Sequence, residues 1–254
     1  STDPAGLITL ASLNAQALAI EGTDSGFFMT GDSGAITIAG PLVVNVAGNI
    51  EYDFTGSGQL LVGGTTTLDA TQDIIVTHTN NGGGVFSIDS ADSLIARAGG
   101  SFNSGAGSIV STDNEMTIIA SGGDIIANDL RSVPFMVLTA RQDVTLNDAQ
   151  VIGPQGVSNL SGLFIDAGSV AAGLALYDPN FNATITGTVT SYSNITINAG
   201  GNTTFATGSS TTADNAMTVR TGDDIIVQAG ASVIGANNPT DAVNPAAPFA
   251  SGPN

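Results

Sequence analysis

The sequence contains 254 residues, of which 42% are hydrophobic and only 10% are charged, and its net charge is −18 at pH 7. Its four basic residues are all arginines, and it has no cysteine and no tryptophan. A chain this acidic is repelled by nucleic acid and by anionic membranes. We therefore expect no nucleic-acid binding and no membrane insertion. The lack of cysteine excludes disulfides and thiolate metal sites, and it fits export into an oxidising compartment.

The composition favours a folded β protein over a disordered chain. Mean hydropathy is positive, and the apolar residues are grouped in short runs separated by Gly, Asn, Asp and Ser. No segment keeps a helical apolar period for three turns. No run approaches the roughly 20 apolar residues of a membrane span, and no basic start with an apolar core indicates a signal peptide. We therefore expect a mature form or a fragment of a longer chain.

The chain begins with a region, 1–41, in which the repeat pattern described next is blurred, and which we interpret as degenerate first coils or a cap. The region 42–235 is predicted to be the repeat domain. The segment 236–254 holds four of the nine prolines and is predicted to be a Pro-rich tail or linker.

A short phrase recurs through the repeat domain: a β-rich run, then Ala and Gly, then an Asp, Asn or Ser, then an apolar residue. We call the Asp, Asn or Ser position the anchor. The anchors predicted from this pattern are Asn49, Asp73, Ser101, Asp124, Asp143, Ser169, Asn202 and Asp224. Neighbouring anchors are 19 to 33 residues apart. Periods in this range are typical of solenoids, and the variable spacing suits coils that have loops of different lengths.

The runs between the turns predict short strands. In chain order they are Ile36–Ile38, Leu42–Val46, Ile74–Thr77, Met116–Ile119, Val144–Leu146, Thr184–Val189, Ile195–Ile197 and Ile225–Val227. A sandwich would need hairpin turns and would not repeat one phrase eight times. The sequence therefore predicts an all-β fold, a parallel β-helix (β-solenoid) of roughly eight to ten coils. Its inner face should carry a ladder formed by Ile50, Ile74, Phe102, Ile125, Val144, Val170 and Ile225.

The phrase also resembles the repeats of a known protein family. The segments that carry the likeness are 118–130 (IIASGGDIIANDL), 138–153 (LTARQDVTLNDAQVIG) and 219–235 (VRTGDDIIVQAGASVIG). They are similar to the haemagglutinin-type repeats of filamentous-haemagglutinin-like bacterial exoproteins, adhesins of the two-partner-secretion type. The resemblance covers roughly 34–235. It implies a right-handed parallel β-helix, an extracellular or cell-surface location, and a role in adhesion or as a stalk.

Four acidic residues are candidate calcium ligands, because oxygen donors are what calcium prefers. Asp89 and Asp92 lie close in sequence, and Asp124 and Asp143 should stack on adjacent coils if the anchors are in register. The competing interpretation is that each Asp hydrogen-bonds its own turn. No cofactor other than possible calcium is predicted.

Two other motifs could carry catalysis. Asp223 and Asp224 resemble the paired acids of β-helical polysaccharide hydrolases, but the structural interpretation, in which Asp224 is an anchor and Asp223 is solvated, is favoured. His78 lies in an alternating strand and is interpreted as an exposed strand residue. The aromatic residues Phe27, Phe28, Tyr52, Tyr177 and Tyr192 could form carbohydrate platforms, although core packing or isolated exposure is favoured.

We therefore expect an extracellular structural or adhesive β-helix that is not an enzyme. Its expected partners are other copies of itself or flanking domains of a longer chain, end to end, and surface glycans are a further candidate. Two alternatives stay open. One is a self-assembling extracellular filament subunit, and the other is a β-helical polysaccharide-degrading enzyme.

Overall fold

The structure is a computed structural model that describes residues 5–9, 14–16, 18–22, 26–31, 34–54, 57–78, 85–153, 162–169 and 178–235. These residues form 26 strands and no helix. Neighbouring strands pair in parallel, each with the strand of the coil before it and the coil after it. The predicted all-β parallel solenoid is therefore confirmed.

Each coil passes through three faces, which we name the first, second and third face in the order that follows an anchor. The first-face strands are β1 (Ala5–Thr9), β4 (Gly26–Gly31), β7 (Ile50–Phe54), β10 (Ile74–His78), β19 (Ala183–Ile185), β22 (Thr203–Phe205) and β25 (Ile225–Val227). The second-face strands are β2 (Asn14–Ala15), β5 (Gly34–Ile38), β8 (Gly58–Val62), β11 (Phe86–Ser90), β20 (Thr188–Ser191), β23 (Ser210–Ala213) and β26 (Ser232–Gly235). Three longer strands run through both of these faces: β13 (Phe102–Thr112), β15 (Ile125–Ser132) and β17 (Val144–Val151).

The third face is a nine-stranded sheet with one strand from each of the nine coils that precede β25 and β26. Its strands are β3 (Leu18–Gly22), β6 (Leu42–Val46), β9 (Thr66–Ala70), β12 (Leu94–Ala98), β14 (Met116–Ala120), β16 (Phe135–Ala140), β18 (Gly162–Ala167), β21 (Asn194–Ala199) and β24 (Met217–Thr221). Nine strands at a spacing of about 4.8 Å make a rod about 40 Å long.

An apolar ladder fills the interior behind the first face. The predicted members that are buried and in register are Ile50, Ile74, Phe102, Ile125 and Val144. Ile225 occupies the same column in the last coil but is only partly buried. Side chains alternate along a strand, so the first residue of each of these first-face strands faces inward and stacks on the first residue of the strand in the next coil. The ladder is thus confirmed for these residues.

The sixth anchor is Asn182, and the prediction of Ser169 is wrong. Ala183 pairs with Val144 on the first face, so Ala183 occupies the ladder place that was assigned to Val170. Val170 itself lies outside the described residues. Ser169 instead donates its N–H to the carbonyl of Ala140 at 3.0 Å. The pattern predicted the wrong residue because this coil has extra residues between the corner after the third face and the next first-face strand, which begins at Ala183.

A column of alanines closes the third face in successive coils. These residues are Ala70, Ala98, Ala120, Ala140, Ala167 and Ala199, all buried and in register. A small residue is needed because the chain turns sharply at this corner. The turn that follows is equally tight: a Cβ on Gly99 would lie 2.0 Å from the carbonyl oxygen of Thr71. The Ala-Gly part of the phrase is therefore explained by this corner.

The predicted single strand Thr184–Val189 is two strands on different faces. β19 ends at Ile185 and β20 begins at Thr188. Between them, a Cβ on Gly187 would lie 2.4 Å from the carbonyl oxygen of Asn147. Only glycine allows this close approach, so the chain bends there rather than continuing as one strand.

The first coils follow the same pairing as the rest of the rod. In the region 1–41, β4 pairs in register with β7 and β5 with β8. On the third face, β3 pairs with β6 in the same way. The segment 236–254 lies outside the described residues.

Candidate functional site

The anchors form one continuous column of hydrogen bonds along a corner of the rod. In each coil, the side-chain oxygen of the anchor accepts the backbone N–H of the anchor in the next coil. The donors and acceptors are Asp73 to Asn49 (3.1 Å), Ser101 to Asp73 (2.7 Å), Asp124 to Ser101 (3.1 Å), Asp143 to Asp124 (2.9 Å), Asn182 to Asp143 (2.6 Å), Asn202 to Asn182 (2.8 Å) and Asp224 to Asn202 (2.9 Å). We call this column the anchor ladder.

The anchor ladder explains why the anchor is Asp, Asn or Ser. The anchor sits at the turn just before a first-face strand, where the backbone N–H needs an acceptor that regular strand pairing does not supply. A short side chain with an oxygen can reach the next coil, whereas an apolar residue would leave the N–H without a partner. The column is therefore a structural device that holds neighbouring coils together at one corner.

Asp124 and Asp143, the first pair of calcium candidates, are neighbours in this ladder. The predicted stacking is confirmed, since the N–H of Asp143 donates to Oδ1 of Asp124. Oδ1 of Asp143 in turn accepts the N–H of Asn182. Within the described ranges, no three His, Cys, Asp or Glu side chains are grouped as a metal site would require. Calcium binding by this pair stays a prediction.

Asp89 and Asp92, the second pair of candidates, bond different donors. Oδ2 of Asp89 accepts the hydroxyl of Ser87 at 2.7 Å, and its Oδ1 accepts the hydroxyl of Ser111. Asp89 lies on the outer side of the second face, since its neighbours Ile88 and Ser90 in β11 are buried.

The carboxylate of Asp92 lies at the corner that follows the second face. It accepts Nδ2 of Asn114 at 3.0 Å and the hydroxyl of Thr65 at 2.8 Å. The hydrogen bond from Asn114 first, and that from Thr65 next, lower the pKa of Asp92 below its ordinary value. These two contacts join Asp92 to neighbouring coils and not to its own turn, and calcium binding here also stays a prediction.

Asp223 and Asp224 lie at an exposed corner near the end of the rod. Asp224 is the last anchor, and its carbonyl accepts the N–H of Thr203 at 3.0 Å. The N–H of Asp223 donates to the carbonyl of Gly201 at 3.1 Å. The geometry agrees with the structural interpretation, in which Asp224 is an anchor and Asp223 is a solvated neighbour.

His78 is buried, and its interpretation as an exposed strand residue is wrong. It is 8% exposed and occupies an inner position of β10, in register with Phe54 of β7. The alternation along β10 carried the signal, because position 78 has the same parity as the buried Ile74 and Val76. His78 therefore belongs to the interior of the rod.

The proposed carbohydrate platforms are largely core residues. Phe27 and Tyr52 are buried and pack edge to face, with ring centroids 5.6 Å apart. Burial raises the pKa of the Tyr52 phenol far above its ordinary value, and among the described residues its buried hydroxyl has no hydrogen-bond partner. Tyr192 is partly buried against the core, and Tyr177 lies outside the described residues. The sequence did not indicate the outward pair Phe135 and Phe164, whose centroids are 5.2 Å apart.

The outer side of the third face carries an open depression of about 320 Å³. Asn45, Asp69 and Arg97 line it from three successive strands. Nη1 of Arg97 lies 3.1 Å from Oδ1 of Asp69, and both side chains are accessible to solvent. These groups could hydrogen-bond a polar ligand. Sequence reasoning missed them because they meet only when three coils stack.

Comparisons with models of protein families, with curated proteins and with solved structures found no match. In the part of the chain that the structure describes, no helix is long and apolar enough to cross a membrane. The likeness to filamentous-haemagglutinin-like exoproteins therefore stays a prediction.

Proposed function

We propose that this protein is an extracellular structural element, a stiff acidic stalk or adhesin segment that has no catalytic role. The observation that carries the proposal is the anchor ladder, which joins every coil from Asn49 to Asp224 by side-chain hydrogen bonds. A rod held by one continuous core and one continuous polar column resists bending and local opening. Those are the properties that a stalk needs.

Composition supports an exposed, extracellular setting. A chain with no cysteine cannot mispair in an oxidising compartment, and its net charge of −18 keeps rods from aggregating side by side. The adhesive part of the proposal rests on the outer side of the third face, where Asn45, Asp69 and Arg97 offer donors and acceptors to a polar ligand. Surface glycans are the proposed ligands, because planar polar side chains on a flat β face suit sugar hydroxyls.

Antibody labelling of intact cells from the source organism tests the proposed location. Surface labelling that protease treatment of intact cells removes is the expected result. Labelling only after the cells are permeabilised would contradict the proposal.

Glycan binding and glycan cleavage separate the adhesive proposal from the enzyme alternative. We expect the purified protein to bind neutral or acidic glycans without releasing products. Arg97→Ala should weaken binding, whereas Arg131→Ala, which removes an exposed arginine from the second face, should not. Turnover that disappears in Asp224→Asn would instead support the hydrolase alternative.

A further inference from the structure

The open depression on the third face is lined by four strands in the middle of the rod, β6, β9, β12 and β14. These strands, and the corners before and after each of them, lie within the described ranges 34–54, 57–78 and 85–153. Alternate residues of each strand are buried, so the residues between them point outward. We call the outward side of these four strands the central patch.

The central patch is electrically neutral, although the rod is strongly acidic. Its strands contain one acid, Asp69, and one base, Arg97. The two face each other on adjacent strands, and Nη1 of Arg97 lies 3.1 Å from Oδ1 of Asp69. The net charge of −18 repels anions from the rod as a whole, and Asp69 already neutralises Arg97. An uncharged ligand therefore suits the patch better than an anionic one.

The column that contains this pair presents hydrogen-bond donors and acceptors side by side. Asn45, Asp69 and Arg97 lie in register on three adjacent strands, which are about 4.8 Å apart. The contact with Asp69 uses one of the five N–H donors of the guanidinium, and the second oxygen of the carboxylate can accept from a ligand. Two adjacent hydroxyls of a sugar match this arrangement, because each can donate to Asp69 and accept from Arg97 or Asn45.

Apolar side chains border this polar column. Ile119 continues it on β14 beside Arg97, and Ile95 lies two residues before Arg97 on the same side of β12. Val43 has the same place relative to Asn45 on β6. A pyranose ring carries hydroxyls around its edge and C–H groups on its faces, so it can contact both kinds of side chain. An inorganic anion would leave the apolar side chains unused.

We propose that the central patch binds a neutral polysaccharide through two adjacent hydroxyls of one sugar residue, held by Asp69 and Arg97. The depression measures about 320 Å³, near the lower end of the range of roughly 300–1,000 Å³ for small-molecule sites. A depression that is small and open can hold a short stretch from the middle of a chain. The inference rests on the proposed adhesive function and deepens it by naming the class of glycan.

Two oligosaccharides that differ in one group test the preference for a neutral ligand. Mannose oligomers and mannuronate oligomers of the same linkage share a pair of adjacent hydroxyls, but each mannuronate residue adds a carboxylate. Frontal affinity chromatography on the immobilised full-length protein measures both at low salt. The mannose oligomer should bind more tightly by about tenfold or more, because the acidic rod repels the other. Equal or tighter binding of the mannuronate oligomer would overturn the neutral class.

Oxidation of the mannose oligomer tests the two hydroxyls without any change to the protein. Periodate cleaves the bond between the two carbons that carry adjacent hydroxyls, and borohydride then reduces the products to separate alcohols. The treated oligomer should lose its binding to the wild-type protein. Binding that survives this treatment would overturn recognition of the adjacent hydroxyls.

The variant Asp69→Asn tests the charge pair. It keeps the size of the side chain but removes the carboxylate, so Arg97 loses its counter-charge and the preference for mannose over mannuronate should fall by about tenfold or more. Asp166→Asn is the matched control, since Asp166 lies in the same outward column three strands further on, where Asn198 donates to it at 2.7 Å. The control should keep the wild-type preference. Equal effects of the two variants would overturn the role of Asp69.

The outcomes distinguish this site from the proposed function. Mannuronate binding that disappears in Arg97→Ala would refute the neutral class and leave the adhesive proposal intact. A rod that labels at the cell surface but binds neither oligomer would refute this site and leave the stalk proposal intact.

Discussion

At the scale of single residues, the inward positions of the strands carry most of the stability. The buried side chains form columns of like on like, so one substitution affects two neighbouring coils as well as its own. Adjacent residues of a strand point to opposite sides of the sheet, so their exposure differs. Ile125 is fully buried, and Ile126 beside it is 45% exposed.

The substitution Ile125→Asp should destabilise the fold by at least about 3 kcal/mol, because it buries an unpaired carboxylate among Phe102 and Val144. Chemical unfolding followed by circular dichroism measures the loss. The neighbouring Ile126→Asp is the control and should cost about 1 kcal/mol or less. Equal losses for the two variants would contradict the inward assignment of Ile125.

The substitution Tyr52→Phe should leave stability at neutral pH unchanged or raise it by about 1 kcal/mol, because the buried Tyr52 hydroxyl has no hydrogen-bond partner in the part of the chain that the structure describes. The wild type should lose stability above about pH 10, where the unfolded phenol ionises while the folded one keeps its proton. The variant should lose less over the same interval. Urea unfolding at about pH 8 and pH 11 measures the difference, and parallel curves for both proteins would refute the burial of this phenol.

At the scale of elements, each coil is a unit of three strands joined by two kinds of corner. The alanine column lies at the end of the third-face strands, and the anchor ladder lies just before the first-face strands. Inserted residues are tolerated between these corners, because both columns continue without a break on either side of the coil that contains Asn182.

Breaking the anchor ladder should weaken one coil boundary. Asp143→Ala removes the acceptor for the N–H of Asn182, which is 2.6 Å from Oδ1, and should cost about 1–3 kcal/mol. Asp143→Asn keeps an oxygen at this place and should retain most of the stability. Hydrogen exchange should show faster exchange of the Asn182 amide in the alanine variant, and unchanged protection there would contradict the role of the ladder.

At the scale of the whole molecule, the acidic surface opposes the compact rod. The net charge of −18 is spread over a narrow solenoid, and the carboxylates of Asp124 and Asp143 belong to adjacent coils. Salt screens such repulsion beyond about 10 Å at 0.1 M. Electrostatics therefore limits the stability that the core and the ladder provide.

Sodium chloride should raise the melting temperature, because it screens the repulsion among the acids. Calcium at equal ionic strength should raise it further if Asp124 and Asp143 bind the ion. Asp124→Asn keeps the ladder acceptor but removes the charge, so it should reduce the extra effect of calcium. Identical melting temperatures in calcium, in chelator and across salt concentrations would show that the acids lie too far apart to interact.

The fold class, the approximate number of coils and most of the inner ladder were predictable from the sequence, because alternation and a recurring turn are local properties of the chain. It also indicated seven of the eight anchors, but it placed the remaining one at Ser169 instead of Asn182. It could not place an anchor behind an insertion, because Ala167, Gly168 and Ser169 match the recurring phrase although the next first-face strand begins only at Ala183.

Which residues meet across coils became visible only in the folded rod. Several of these contacts join residues that are about one coil apart in sequence. They include the hydrogen bonds of the anchor ladder, the ion pair of Asp69 with Arg97, and the register that sets His78 beside Phe54. The spacing between coils varies from 19 to 39 residues, so sequence distance does not reveal register. Register is set by packing, since a shift by one residue would turn every apolar side chain outward.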